Sequence, residues 1–318
     1  MPTILIASLQ PGEGRTTAMA GLGAFLARDG RTVRLLRIRS AAGPDRDAED
    51  DARTLAAVPG CAAPSGAVSE QEAQTQVNEA GAAGALSLVE APAGAPGELA
   101  ARLSASVVLV SARTDEPHVS DLAAAAGALG TAFLGTVVTR QPERRLAALP
   151  AALKERGLAC LAALPEDRLL AGPTVREMAE ALHASPLVED GEEDEALEFI
   201  MLGPISADPG QPYFLQHGNK AVVNRFDKMD LHLAALATEP ECLILTGGQR
   251  PSPYLLDRLA GSDLEITVLL APDGTVRTME VLDELYSHTR FSGRRKLARA
   301  IELFGEHLDV QQLTESLR

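Results

Sequence analysis

Short runs of β-favouring apolar residues recur along this chain, and helical stretches separate them. In the first half the runs are Thr3 to Ala7, Thr32 to Ile38, Ala85 to Val89, Val107 to Ser111, Ala132 to Thr139 and Leu158 to Leu164. Strands that are apolar on both faces, and joined through helices, bury both faces in a parallel sheet covered on each side. The helix after the first run is set over Arg15 to Arg28, with Met19, Leu22 and Leu26 on one face and Gly30 as its stop. Ligands of such sheets bind at the carboxyl ends of the strands, so the loop after the first run is the first place to look for chemistry.

That loop reads SLQPGEGRTT, Ser8 to Thr17. A phosphate-gripping P-loop places a glycine, four residues and then Gly-Lys-Ser/Thr, so that backbone N–H groups surround phosphate oxygens, the lysine neutralises them and the hydroxyl holds magnesium. Gly12 and Gly14 supply the permissive backbone, while Thr16 and Thr17 bring hydroxyls to the start of a helix whose dipole favours an anion. Leu9 stands where the first glycine belongs, and Arg15 replaces the lysine with a planar fork that is not its equivalent. The expected nucleotide-binding set is Gln10, Gly12, Glu13, Gly14, Arg15, Thr16 and Thr17; the alternative is a glycine-rich strand-to-helix turn without a ligand.

Glu90 ends the run Leu86-Ser87-Leu88-Val89, a position from which a carboxylate can hold phosphate-bound magnesium directly or through water; a helix-capping or solvated glutamate is the alternative. Asp47 lies among Asp45, Glu49, Asp50 and Asp51, a cluster that is either solvated or carries a second metal-facing acid. The expected metal set is therefore Thr16, Asp47 and Glu90, with ATP or another nucleotide and Mg2+ as cofactors. No catalytic residue can be assigned.

After Leu182 the pattern lapses into the acidic run Val188 to Glu195, which is too poor in apolar residues to fold alone and reads as a linker or a solvated edge. A second alternation follows, with strands at Leu197 to Leu202, Lys220 to Asn224, Cys242 to Thr246 and Ile266 to Leu270, and helices around Met229 to Ala237, Pro253 to Ala260 and Thr275 to Tyr286. The expected division is residues 1–186 for the loop-bearing domain, 187–195 for the linker, 196–290 for a smaller α/β domain and 291–318 for a helical tail. The apolar positions Leu297, Ile301 and Leu308 of that tail need a surface, which suggests a homo-oligomer. Asp227 and Asp230 follow one strand of the second domain, and Thr246-Gly247-Gly248 ends the next. Two adjacent carboxyl-end features suit a small anionic ligand or a subunit contact, with Gly247 and Gly248 offering bare N–H groups and Asp227 capping the next helix; tight turns that need glycine are the plain alternative.

Composition narrows the partners. The 318 residues carry a formal net charge of −15, which argues against nucleic acid and anionic membrane as partners. Three distant cysteines, Cys61, Cys160 and Cys242, support neither a disulfide framework nor a zinc site, and a cytoplasmic location is expected. The six histidines have no ligand spacing, and no G-x-S-x-G elbow occurs, so covalent acyl transfer has no seat.

Taken together these residues resemble the amino-terminal region of the long bacterial phosphate acetyltransferases, in which a dethiobiotin-synthetase-like P-loop domain is joined to a DRTGG domain. The first part of the likeness rests on SLQPGEGRTT, Leu88-Val89-Glu90 and the proline-bearing stretch Ala163 to Val175; the second rests on Asp227, Asp230, Cys242 to Gly248 and Pro251. Lys228 departs from the arginine of the DRTGG name, and the chain stops about where the acetyltransferase domain begins in the long enzymes. The resemblance implies a P-loop NTPase-type α/β fold followed by a DRTGG-like domain. It also implies a regulatory, oligomer-assisting role in place of acetyl transfer.

The first functional reading is thus a nucleotide-binding regulatory protein that senses a nucleotide or anionic metabolite, at most a weak ATPase, and modulates a phosphate acetyltransferase or related enzyme. The second is an ATP-dependent carboxylate-activating ligase of the dethiobiotin synthetase or cobyrinate diamide synthase type, weakened by Arg15 and the missing first glycine. The third is an oligomerisation scaffold with vestigial pockets.

Overall fold

The computed structural model describes residues 3–39, 48–62, 66–205, 210–286 and 288–316. It divides into two compact units, Met1–Asp167 with Leu297–Arg318, and Arg168–Lys296.

The first unit is built on an eight-stranded sheet. Its strands are β1 (Thr3–Ala7), β2 (Val33–Ile38), β3 (Cys61–Ala62), β4 (Ala67–Val68), β5 (Leu86–Glu90), β6 (Ala105–Ser111), β7 (Phe133–Gln141) and β8 (Cys160–Pro165). The order is β3-β2-β5-β1-β6-β7-β8, with β4 also paired to β2, and every pairing is parallel. All five residues of β1 are buried, as a central strand covered on both faces requires. The strand is flanked by β5 on one side and β6 on the other, so the chain leaves it at the point where the connections diverge to opposite halves of the sheet. That crevice is where doubly wound sheets bind ligands, and the loop Ser8 to Arg15 stands at its mouth.

The tail belongs to this unit from Leu297 onward. Leu297, Leu303, Phe304 and Leu313 are buried within it, and Leu308 forms an antiparallel bridge with Ala162 of the edge strand β8. The apolar face expected to seek a second subunit is therefore largely covered by the chain itself. A contact of this kind also shields a sheet edge.

The second unit holds β9 (Ser185–Glu189), β10 (Phe199–Leu202), β11 (Lys220–Arg225), β12 (Cys242–Thr246) and β13 (Thr267–Ala271), in the order β10-β11-β12-β13-β9. All pairings are parallel except β9 against β13. Most of the strands and helices lie within a few residues of the expected spans, but the acidic run is not a linker. Its first residues complete β9, and Glu195 is buried, accepting hydrogen bonds from the backbone N–H groups of Arg294 and Arg295 at 2.9 Å each and from Arg294 Nε at 3.1 Å. The carboxylate thus caps the helix Arg294–His307, a role that a solvated linker residue has no occasion to take.

Candidate functional site

The loop after β1 is held from three sides. Ser8 Oγ donates to the Gln10 carbonyl at 2.5 Å, Thr139 Oγ1 donates to the Glu13 carbonyl at 3.0 Å, and the Arg140 guanidinium donates to the Gly12 carbonyl. Gly12 and Gly14 take φ values of +74° and +89°, which side-chain-bearing residues rarely adopt. A Cβ on Gly14 would also stand 3.2 Å from Thr139 Cγ2. Leu9, in place of the first P-loop glycine, packs against the apolar core and anchors the root of the loop. Gln10 and Gly12 are exposed at its crest.

The helix Arg15–Arg28 begins directly at Gly14, with no side-chain cap and no acidic residue in its first turn. Its first N–H groups lack intrahelical acceptors by geometry, so this end carries the partial positive charge that attracts an anion. Thr16 and Thr17 lie in that turn. Glu13 differs from expectation in its side chain, which is buried, with Oε1 3.1 Å from His118 Nε2 at ion-pair distance but without hydrogen-bond alignment. Burial raises its carboxyl above the ordinary range, against the lowering pull of His118. Only the main chain of Glu13 is therefore offered to a ligand.

Glu90 lies beside the loop because β1 and β5 pair in register, Ile6 with Glu90. It is 2% exposed, and Thr16 Oγ1 donates to it at 3.1 and 3.2 Å from its two oxygens. Arg15 donates to Ser8 Oγ at 3.0 Å and places its Nε 3.7 Å from Glu90 Oε1. Arg37, at the end of β2, places its own Nε 3.8 Å from the same oxygen and also pairs with the buried Asp51. Asp47 lies outside the described residues. Thr16 Oγ1 keeps its lone pairs while it donates to Glu90, and the two guanidinium groups beside Glu90 Oε1 are competitors for that carboxylate.

Several of these residues carry no P-loop signature in the sequence. Thr139, Arg140 and Gln141 end the apolar strand β7 at the same edge of the sheet, and a polar triplet in that position was the available signal. Arg140 sits at φ +55°, a conformation costing a non-glycine residue on the order of 1 kcal/mol and found most often at functional sites. Arg37 and His118 come from other segments and meet the loop only through the fold.

In the second unit Arg225 pairs in register with Thr246, which brings the two expected features side by side. Arg225, Thr246 and Gly247 line an open cavity of about 620 Å3 together with Thr275 and Arg277 at the start of the helix Thr275–Leu285, while Asp227, Asp230 and Gly248 do not line it. Thr246 Oγ1 and Thr275 Oγ1 are 2.7 Å apart. The expected bare N–H groups are not available: Gly247 donates to the Asp273 carbonyl at 2.7 Å and Gly248 to the Ala271 carbonyl at 3.0 Å. Nor does Asp227 cap the following helix; it pairs with Arg225 Nε at 3.0 Å, while Lys228 holds the cap position without a side-chain bond and Asp230 lies in the first turn. Glycine is needed at 247 and 248 for φ values of +102° and +68°, so the turn itself accounts for both.

A parallel sheet with a glycine-bearing loop leading from its first, central strand into a helix is a doubly wound α/β domain, here followed by a smaller α/β unit. Residues 177–285 match the DRTGG domain family, so the second unit carries a DRTGG domain, and the match includes the acidic run. The chain is similar to a phosphate acetyltransferase of Nitratidesulfovibrio vulgaris, with 28% identity over 162 residues, 48% of this chain and 23% of that protein. The likeness therefore spans about a quarter of the relative's length. Among solved structures, the MinD cell division protein of Aquifex aeolicus is 18% identical over 54% of this chain and 84% of its own, with a TM-score of 0.40. The CBS and DRTGG domains of the regulatory region of Clostridium perfringens pyrophosphatase, complexed with diadenosine tetraphosphate, are 14% identical over 40% of this chain and 56% of that one, with a TM-score of 0.33. No helix among the described residues is long and apolar enough to cross a membrane.

Proposed function

We propose that this chain is a nucleotide-binding regulatory protein whose ligand sits on the loop from Gln10 to Thr17 and whose bound state modulates a phosphate acetyltransferase or a related enzyme. The observation that carries the reading is the uncapped start of the helix Arg15–Arg28 at a left-handed Gly14, at the carboxyl end of the central strand. The likeness to a phosphate acetyltransferase over part of its length supports the choice of partner, and the DRTGG domain supports a regulatory role. Arg15, engaged with Ser8 and Glu90, is poorly placed to follow a transferring phosphoryl group, which favours sensing over ligase chemistry. The cavity around Thr246 and Arg225 is the candidate place for a second anionic metabolite or a subunit contact. Ile205, Leu215 and Leu202 are exposed in the second unit, Leu202 at the end of the edge strand β10, and they are the surface we assign to homo-oligomer formation in the cytoplasm.

Thermal shift with ATP, ADP, GTP and pyrophosphate tests the ligand. Saturation at a hundred times the dissociation constant adds about 2.7 kcal/mol, and the shift shrinks in Arg15→Ala. No shift with any of them, or an unchanged shift in the variant, contradicts the reading. Addition of the chain, with and without nucleotide, to the phosphate acetyltransferase of the same organism tests modulation through its rate.

A further inference from the structure

We propose that the ligand of the loop is taken up together with a proton, held in the buried pair of Glu13 and His118 beneath it. The proposal rests on the ligand reading above and adds a dependence of that site on pH.

Glu13 is divided between two environments. Its main chain belongs to the loop, with its carbonyl fixed by Thr139 Oγ1 at 3.0 Å and the next residue, Gly14, starting the helix. Its side chain turns inward and is 4% exposed, and neither carboxylate oxygen has an aligned hydrogen-bond donor among the described residues. A buried carboxylate without such donors is costly as an anion, and a proton relieves that cost.

The hydroxyl of Ser111 fixes what His118 offers to it. Ser111 Oγ donates to the Arg113 carbonyl at 2.9 Å, so towards His118 Nε2, also 2.9 Å away, it can only accept. His118 Nε2 therefore carries a hydrogen, and Glu13 Oε1 lies 3.1 Å from that same nitrogen. With the carboxylate ionised and the imidazole neutral the pair holds one negative charge, and one added proton, on the carboxylate or on Nδ1, makes it neutral. The charged groups that face Glu13 are His118 at the start of the helix Glu116–Leu129, Arg113 from the segment before it and Arg15 from the helix after the loop. Arg113 is itself shared with Asp115, 3.0 Å from its Nε. These cations and the Gln10 backbone favour the ionised form, but burial outweighs them.

An anion on the loop shifts this balance. The carboxylate hangs from the backbone that meets the ligand, so the two stand on the order of 10 Å apart or less, comparable with the Debye length at 0.1 M salt. Little water lies around the buried pair to screen them. Negative charge at that range favours the protonated pair, whichever atom takes the proton. Below the apparent pKa of the pair in the free protein both states hold the proton, and affinity does not vary with pH. Between that value and the one raised by the ligand, binding takes up a proton and affinity falls by up to about tenfold per pH unit. Above the raised value the dependence ends.

The test is calorimetric titration of the full chain with ATP between about pH 7 and 8.5, above the second pKa of a phosphate near 6, so that the nucleotide's own protons contribute little. Each pH is run in two buffers of different ionisation heat, and the difference in observed heat counts the protons exchanged. The expected result is uptake reaching about half a proton per ATP within that range, with Kd increasing as pH rises. Binding without uptake, or with release, throughout the range overturns the proposal while leaving the ligand reading intact. No binding at any pH removes the ligand reading and the proposal with it. Combining Glu13→Gln with His118→Gln locates the proton: uptake is lost in the doubly substituted protein, and undiminished uptake there overturns the proposal. Should that protein fail to fold or to bind, each single substitution is expected to lower the uptake, and uptake unchanged in both overturns it equally.

Discussion

The ring of Phe304 lies over Gly21 so closely that a Cβ on the glycine would stand 2.2 Å from Cδ2. Gly21 is in the helix Arg15–Arg28 that follows the loop after β1 and Phe304 is in the tail helix Arg294–His307, so the tail is packed onto the loop's own helix. Alanine at position 21 gains up to about 1 kcal/mol in helix propensity but must displace a fully buried ring, and overpacking of that kind costs about 1–3 kcal/mol. Gly21→Ala is therefore expected to be net destabilising, and Phe304→Ala to cost about 3–5 kcal/mol through the cavity it leaves. Urea denaturation of both variants checks this. A Gly21→Ala protein as stable as the parent would show that the tail does not dock as described.

Glu195 gives the second prediction. Its carboxylate receives two backbone N–H groups and a guanidinium at the start of the tail helix, and none of the three keeps that acceptor in Glu195→Ala. The expected loss is about 2 kcal/mol, the scale of a capping interaction to a charged group. Limited proteolysis of the parent protein should also spare residues 187–195, since part of the run is strand and Glu195 is buried. First cleavage inside that run would restore the linker that its composition suggested.

His232 makes stability depend on pH. It is fully buried, with Nε2 3.1 Å from the Phe226 carbonyl, and burial pushes its pKa below 6.5 despite that contact and the nearby Asp230 and Asp227 carboxylates. Between the depressed folded value and 6.5 the unfolded chain binds a proton that the folded chain does not, so stability falls as pH drops through that window. Above about pH 6.5 this group contributes no slope, and below it the slope reaches at most about 1.4 kcal/mol per pH unit. Denaturation series for the parent and His232→Gln should differ by a constant amount above about pH 6.5, and in mild acid the parent should lose stability relative to the variant. Parallel curves would contradict the assignment.

The fold was legible where one physical signal dominated. The all-apolar β1 and the loop after it announce a central parallel strand with a ligand edge, and the Cys242–Thr246 strand does the same for the second unit. The charge of the acidic run argues against structure, but β9 is an edge strand that one antiparallel neighbour suffices to hold. The tail's apolar stripe was read correctly as needing cover, but the sequence does not say that the cover is Gly21 and β8. At the loop, Gly12 and Gly14 were visible from their spacing. Thr16 and Glu90 are grouped from the sequence alone, but Arg37 is not, because it reaches Glu90 from a segment whose proximity depends on sheet order, and sheet order is not written in local periodicity.

Amide hydrogen exchange with and without saturating ATP addresses the central claim most directly. Ligand on the loop is expected to slow exchange in peptides covering residues 8–20, where the helix-start N–H groups lie, and in those covering 139–141, which hold the loop through Thr139 and Arg140. Unchanged exchange in both segments at a saturating concentration, or slowing confined to residues 225–280, would contradict a nucleotide site at Gly14.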